Sequence, residues 1–212
     1  MSDFDEEISQ LIGELSIEPK KSTKDINSLS YLVDGHISQS KCIKLGNYLE
    51  KFILSYILLH NKSLSSIKKP NEKGVKEKDH LFKNETIKTI YYAEIKGNLK
   101  LDTEKTKATI KKCLSIANDL KNEFSDYEIN SSLVNIIYLH KDEIPKHIRK
   151  KYKQIDVILC GLNDYLELLQ IEPITYKKYK LIINTIVKKN DLQQSIIFYD
   201  KMFCINFFIN SF

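Results

Sequence analysis

"IYYAEIKGNLKLDTEKTKAT", residues 90–109, runs from β-formers through a charged pair into a lysine-rich helical pattern. Aromatic and β-branched residues from Ile90 to Ile95 favour a strand. Asp102 is placed to cap a helix. Beyond it Ile110, Cys113, Leu114, Ala117, Leu120 and Phe124 form an apolar stripe at helical spacing. Strand side chains alternate, so Tyr91, Ala93 and Ile95 share one face, suited to packing under a helix. Tyr92, Glu94 and Lys96 share the other face, which ends in two opposite charges. A strand followed directly by a long helix points to an α/β fold.

Just before it, DHLFK (Asp79–Lys83) is a second, shorter strand, and a turn at about Asn84–Lys88 joins it to TIYYAEIK (Thr89–Lys96). Upstream, the lysine-rich segment 61–78, with Pro70 and Gly74, reads as a loop. Before it, CIKLGNYLEKFILSYILLH carries Leu45, Leu49, Phe52, Ile53, Tyr56 and Leu59 at helical spacing, with a serine near Ser38 or Ser40 as N-cap. FDEEISQLIGELS (4–16) is a short amphipathic helix. Downstream, SSLVNIIYLH is a third strand. Pro145 opens a basic helix, IPKHIRKKY; QIDVILCG is a fourth strand ended by Gly161; and Asn163-Asp164 start DYLELLQ. Two further helices are expected at about 175–188 and 191–202, before an apolar tail. The expected architecture is a central mixed sheet of about four strands with helices on both faces. It forms a single domain over 1–212, with an N-terminal helical segment at 1–37 and a core at about 38–170.

Composition is that of a globular chain: 212 residues, 42% hydrophobic and 29% charged, with a net charge of +5. Arg149 is the only arginine. Cys42, Cys113, Cys160 and Cys204 show no C-x-x-C pairing and no zinc spacing. The first three read as small core residues, and reduced thiols of a cytoplasmic protein are expected. Met1 to Glu7 is acidic with no apolar signal core, so export is not expected. No run of about twenty apolar residues suggests a membrane span.

The turn near Thr86-Ile87 sets Asp79 opposite Glu94, and directly opposed residues share a face. Asp79, Glu94 and Lys96 then converge, with Leu81 and Tyr92 beside them. Facing carboxylates repel unless a cation lies between them. A hard divalent ion such as Mg²⁺ suits one or two carboxylates, completed by waters and phosphate oxygens. On spacing alone, Glu94 and Lys96 also make an ordinary surface ion pair worth about 0–1 kcal/mol.

The pattern Asp79…Glu94-Ile95-Lys96 resembles the motif of the PD-(D/E)XK nuclease superfamily. Glu50, on the preceding helix, matches an acidic residue this superfamily often carries there. "SQSKCIKLGNYLEKFI" (38–53), "EIKGNLKLDTEKTKAT" (94–109) and "LCGLNDYLELL" (159–169) are similar to stretches of small type II restriction endonucleases. The similarity covers roughly residues 36–170. One departure is Lys78, which stands where the motif name has a proline.

The resemblance implies a restriction-endonuclease-like fold and a Mg²⁺-dependent, site-specific endonuclease acting on double-stranded DNA. Asp79 and Glu94 would bind Mg²⁺, Lys96 would position the attacking water, and Glu50 would support the metal site. A homodimer is expected from a symmetric double-strand cut, and a cognate DNA methyltransferase as genetic partner. Two other readings stay open here: a structure-specific repair or recombination nuclease, and a non-catalytic DNA-binding protein.

Asn98, Lys100, Lys105 and Lys107 are the expected DNA contacts, within a lysine cluster that includes Lys111 and Lys112. From Lys62 to Lys112, fourteen lysines face seven acids, an excess suited to phosphate neutralisation. The lysine-rich 61–78 loop or the basic 141–153 segment is the candidate for entering a groove and reading bases. Asn163 and Asp164 read first as a helix start and second as specificity contacts. His80, opposite in parity to Asp79, reads as structural, and none of the five histidines shows a catalytic pairing.

Overall fold

The computed structural model describes residue 33 and residues 39–67, 78–99, 101, 103–153 and 156–189. The expected helix at 4–16, the Asp102 cap, Lys100, the helix at 191–202, the apolar tail and Cys204 lie outside the described residues. So does most of the lysine-rich segment before Asp79.

The chain runs α1 (Gln39–His60), β1 (Leu64–Ser66), β2 (His80–Asn84), β3 (Thr89–Lys96), α2 (Thr103–Glu123) and β4 (Glu128–Asn135). A 3₁₀ turn (Lys141–Glu143), α3 (Lys146–Lys151), β5 (Ile158–Gly161), α4 (Leu162–Leu168) and α5 (Tyr176–Lys189) follow. The strands form one mixed sheet in the order β1-β2-β3-β4-β5. β1 to β3 pair antiparallel, whereas β3, β4 and β5 run parallel. A parallel neighbour cannot be reached by a tight turn, so α2 carries the chain from β3 to β4.

Five strands are present where about four were expected. The added one, Leu-Ser-Ser at 64–66, lies in the stretch read as loop. Two serines in three residues carry no β signal; pairing of Leu64 with Asn84 and Ser66 with Phe82 makes it an edge strand. The helix α1 starts at Gln39, so Ser40 sits inside its first turn and is not the cap. The strand β4 begins at Glu128 and stops at Asn135, earlier at both ends than the expected SSLVNIIYLH. Asn135 Oδ1 accepts a bond from the Ile137 amide at 2.9 Å, an Asx turn that ends the strand.

Every residue of β3 before Lys96 is buried, as befits a strand enclosed on both faces. Tyr91, Ala93 and Ile95 join Phe82, Val134 and Cys160 in a core closed by α1, α4 and α5. Ile90 and Tyr92 join Leu81, Leu133 and Leu159 in a second core under α2 and α3. The result is three layers, helices–sheet–helices. Cys42, Cys113 and Cys160 are buried free thiols; burial first pushes those of Cys113 and Cys160 up to about 11, so neither is a ready nucleophile. Among the described residues no helix is long and apolar enough to cross a membrane.

His80 lies wholly inside the first core. Its Nε2 is 3.1 Å from the Glu50 carbonyl oxygen and its Nδ1 is 3.4 Å from the Tyr165 hydroxyl. A carbonyl can only accept, so Nε2 carries the proton and Nδ1 accepts from Tyr165. Burial pushes the ring's pKa down to about 4. The neutral ring therefore pins α1 and α4 to β2.

Gly161 ends β5 where the chain approaches itself. A Cβ there would stand 2.5 Å from the Leu139 oxygen and 2.6 Å from the His140 nitrogen.

Two predictions follow from this packing. Gly161→Ala lowers the free energy of urea unfolding by about 1–3 kcal/mol, the usual scale of core overpacking. Between about pH 6.5 and 4 the unfolded chain binds the His80 proton and the folded chain does not. Stability then falls on acidification across that window, by up to about 3 kcal/mol. Urea unfolding of the wild type and of His80→Phe at several pH values checks this; the variant lacks that fall.

Candidate active site at the end of strand β3

The hairpin turn sets the site. Asn84 Oδ1 accepts bonds from the amides of Thr86 and Ile87 at 3.1 and 3.3 Å, and Lys88 adopts positive φ. The ladder then pairs Asn84 with Thr89 and closes with His80 against Ala93. One step further along the same register brings Asp79 beside Glu94. Asp79 Oδ2 accepts the Ile95 amide at 2.7 Å. Lys96 Nζ lies 3.8 Å from that same oxygen and 2.6 Å from Glu94 Oε1. Asp79, Glu94 and Lys96 thus meet at one point.

Glu94 is only 1% exposed. A buried carboxylate needs cations and donors close by, because its desolvation costs several kcal/mol. Lys112, from α2, places its Nζ 2.8 Å from Oε1 and 2.6 Å from Oε2. Tyr92 donates its hydroxyl to Oε2 at 3.2 Å. Burial on its own would raise the Glu94 pKa; attraction to Lys96 and bonding from Lys112 outweigh it and hold the group below its ordinary value. Asp79 goes the other way, lifted first by burial and then by the charge of Glu94. Burial alone would pull Lys96 down, yet Asp79 and Glu94, helped by Glu50, keep it above the usual lysine value. Lys96 is therefore an ammonium at neutral pH. It can hold a water or steady an anion but does not itself take up a proton.

Glu50 is half-buried on α1, and its charge acts on Lys96. It does not complete a ligand set: among the described residues no group of three or more His, Cys, Asp or Glu side chains is placed to hold a metal. Two carboxylates without nitrogen or sulfur donors fit a hard ion such as Mg²⁺, which keeps waters and phosphate oxygens in its shell. They do not fit a closed zinc site.

Asn98 is half-buried in the loop after β3, and Lys105 and Lys107 are exposed on α2. Lys105 lies two turns before Lys112, on the same side of the helix. The basic helix α3 is tied to this loop. Lys151 Nζ donates to the Leu101 carbonyl at 3.2 Å, and the Tyr152 hydroxyl donates to that of Leu99 at 3.4 Å.

At the end of β5, Asn163 is buried and clamps the backbone of Ile174 with both ends of its amide, at 2.9 and 3.0 Å. Asp164 Oδ2 accepts the amides of Gly161 and Lys141 at 2.7 and 2.5 Å. His140 does face a carboxylate, with Nδ1 3.5 Å from Asp164 Oδ1. The backbone bonds to Asp164 make that pair part of a structural clamp. Asn163 takes the structural role expected of a helix start, bonding the Ile174 backbone, with Nδ2 also 3.4 Å from His140 Nε2.

No family model, curated protein or solved structure matches the chain.

Asp79 is more costly to ionise in the fold than in the unfolded chain, so ionised Asp79 opposes folding at neutral pH. Asp79→Asn keeps an acceptor for the Ile95 amide and removes the buried charge together with its repulsion from Glu94. Its urea midpoint at pH 7, without added metal, rises above the wild type's; an unchanged or lower midpoint contradicts the electrostatic account.

Proposed function

We propose that the chain is a Mg²⁺-dependent endonuclease of the PD-(D/E)XK type that hydrolyses phosphodiester bonds in double-stranded DNA. One observation carries the reading: Asp79, Glu94 and Lys96 converge across the β2–β3 hairpin. The helix bearing Glu50 precedes that hairpin and the lysine-rich α2 follows it.

Asp79 and Glu94 would hold the ion. When bound, Mg²⁺ supplies Lewis acidity and lowers the pKa of a coordinated water. Lys96, kept protonated by both carboxylates, orients the attacking water and stabilises charge on the phosphate. Lys105, Lys107 and the basic α3 neutralise flanking phosphates, which positions DNA without reading its sequence. Asn98 and Lys100 are further DNA contacts in this reading. A restriction–modification role, with a homodimer on a palindromic site and a methyltransferase as genetic partner, rests on the sequence resemblance.

The test is digestion of a plasmid of known sequence by the purified chain with Mg²⁺, followed by end mapping. Discrete fragments are expected, and Lys96→Ala and Glu94→Ala each slow cleavage by about 10²-fold or more. Equal cleavage by wild type and both variants removes these residues from the mechanism. Cutting confined to junctions, flaps or ends favours a repair nuclease, and DNA binding without cleavage favours a non-catalytic binder.

A further inference from the structure

Glu94 has no room for another partner. An ionised carboxylate offers about four lone-pair positions. Here Lys96 takes one on Oε1, Tyr92 one on Oε2, and Lys112 reaches both oxygens at 2.8 and 2.6 Å. Any cation that binds Glu94 must displace one of these donors. Tyr92 is fixed in the core at 0% exposure. Lys96 is also drawn to Asp79. Lys112 comes from a different element, on a flexible four-carbon stem. Its ammonium straddles the carboxylate edge, where a cation would lie.

We propose that Lys112 is a tethered surrogate cation: it occupies the metal-facing edge of Glu94 in the metal-free protein and leaves when a divalent ion binds. This rests on the reading of Asp79 and Glu94 as the ion's ligands. Charge counting supports the exchange. The four groups in direct contact, Asp79, Glu94, Lys96 and Lys112, sum to zero, with the charge of Glu50 acting beyond them. Replacing one ammonium with a divalent ion leaves one positive charge, matching the single negative charge of a phosphodiester. The released Lys112 stays within a stem's reach of that phosphate. Helix α2 therefore sets the ion affinity and keeps the site closed to weak cations.

The experiment is calorimetric titration of Mn²⁺ alone into the full chain and three variants. Lys112→Met removes the competitor and lowers Kd by about tenfold, the scale of one charge-assisted hydrogen bond. Lys112→Arg offers Glu94 a bidentate fork and raises Kd. Glu94→Gln abolishes binding. Thermal unfolding supplies a second readout: Lys112→Met melts below the wild type without Mn²⁺ and recovers with it. A Kd unchanged or raised in Lys112→Met, while Glu94→Gln abolishes binding, overturns the role of Lys112 and leaves the ion site standing. Absence of Mn²⁺ binding in wild type and both lysine variants overturns the ion site, and this proposal with it. Should Lys112→Met fail to fold, Lys112→Arg decides, and an unchanged Kd there overturns the proposal.

Discussion

The structure turns on one carboxylate held out of water. β3 lies between two helical layers, so Glu94 on its inner run has no solvent to sustain its charge. In low dielectric the charge persists only with close cations and donors. Those come from Lys96 on the same strand, Tyr92 two residues back and Lys112 on the covering helix. The rotation of α2 about its axis and the position of β3 in the sheet are thereby coupled through a single side chain. Breaking a buried pair of this kind costs about 3–5 kcal/mol. Asp79 brings a second negative charge to the same spot, and burial first, then the charge of Glu94, raises its pKa despite the two lysines. Stability is given up where chemistry would use it, as is common at functional sites.

The strand parity and the hairpin were legible in the sequence because both are local. Alternation fixes which side chains share a face. The turn at Asn84–Lys88, marked by an asparagine that bonds two following amides, fixes which residue opposes which. The long helix was legible from its apolar stripe. The edge strand at 64–66 was not, since pairing with β2 creates it and its own residues do not. Lys112 was hidden for another reason. In a helix carrying several lysines, charge does not distinguish the inward one. The available signal was Ile116, buried one turn beyond on the same side, which marks that edge of the helix as facing the sheet.

The two ends of the parallel strands are used differently. At the end of β3, charged groups are crowded and one carboxyl is destabilised. At the end of β5, Asn163 and Asp164 spend their polar atoms on backbone amides and a carbonyl. His80 serves the same end within the core, holding α1 and α4 through an uncharged ring.

The hairpin turn stands at the far end of the strand pair from Asp79, yet it acts as the ruler of the site. A strand's side chains reverse face with each residue. One residue gained or lost between Asn84 and Thr89 would slide β2 against β3 and move Asp79 off its partner. The turn can thus drift in identity while its length stays fixed. The tolerance for insertion that surface turns usually enjoy is withdrawn here by a carboxylate several residues away.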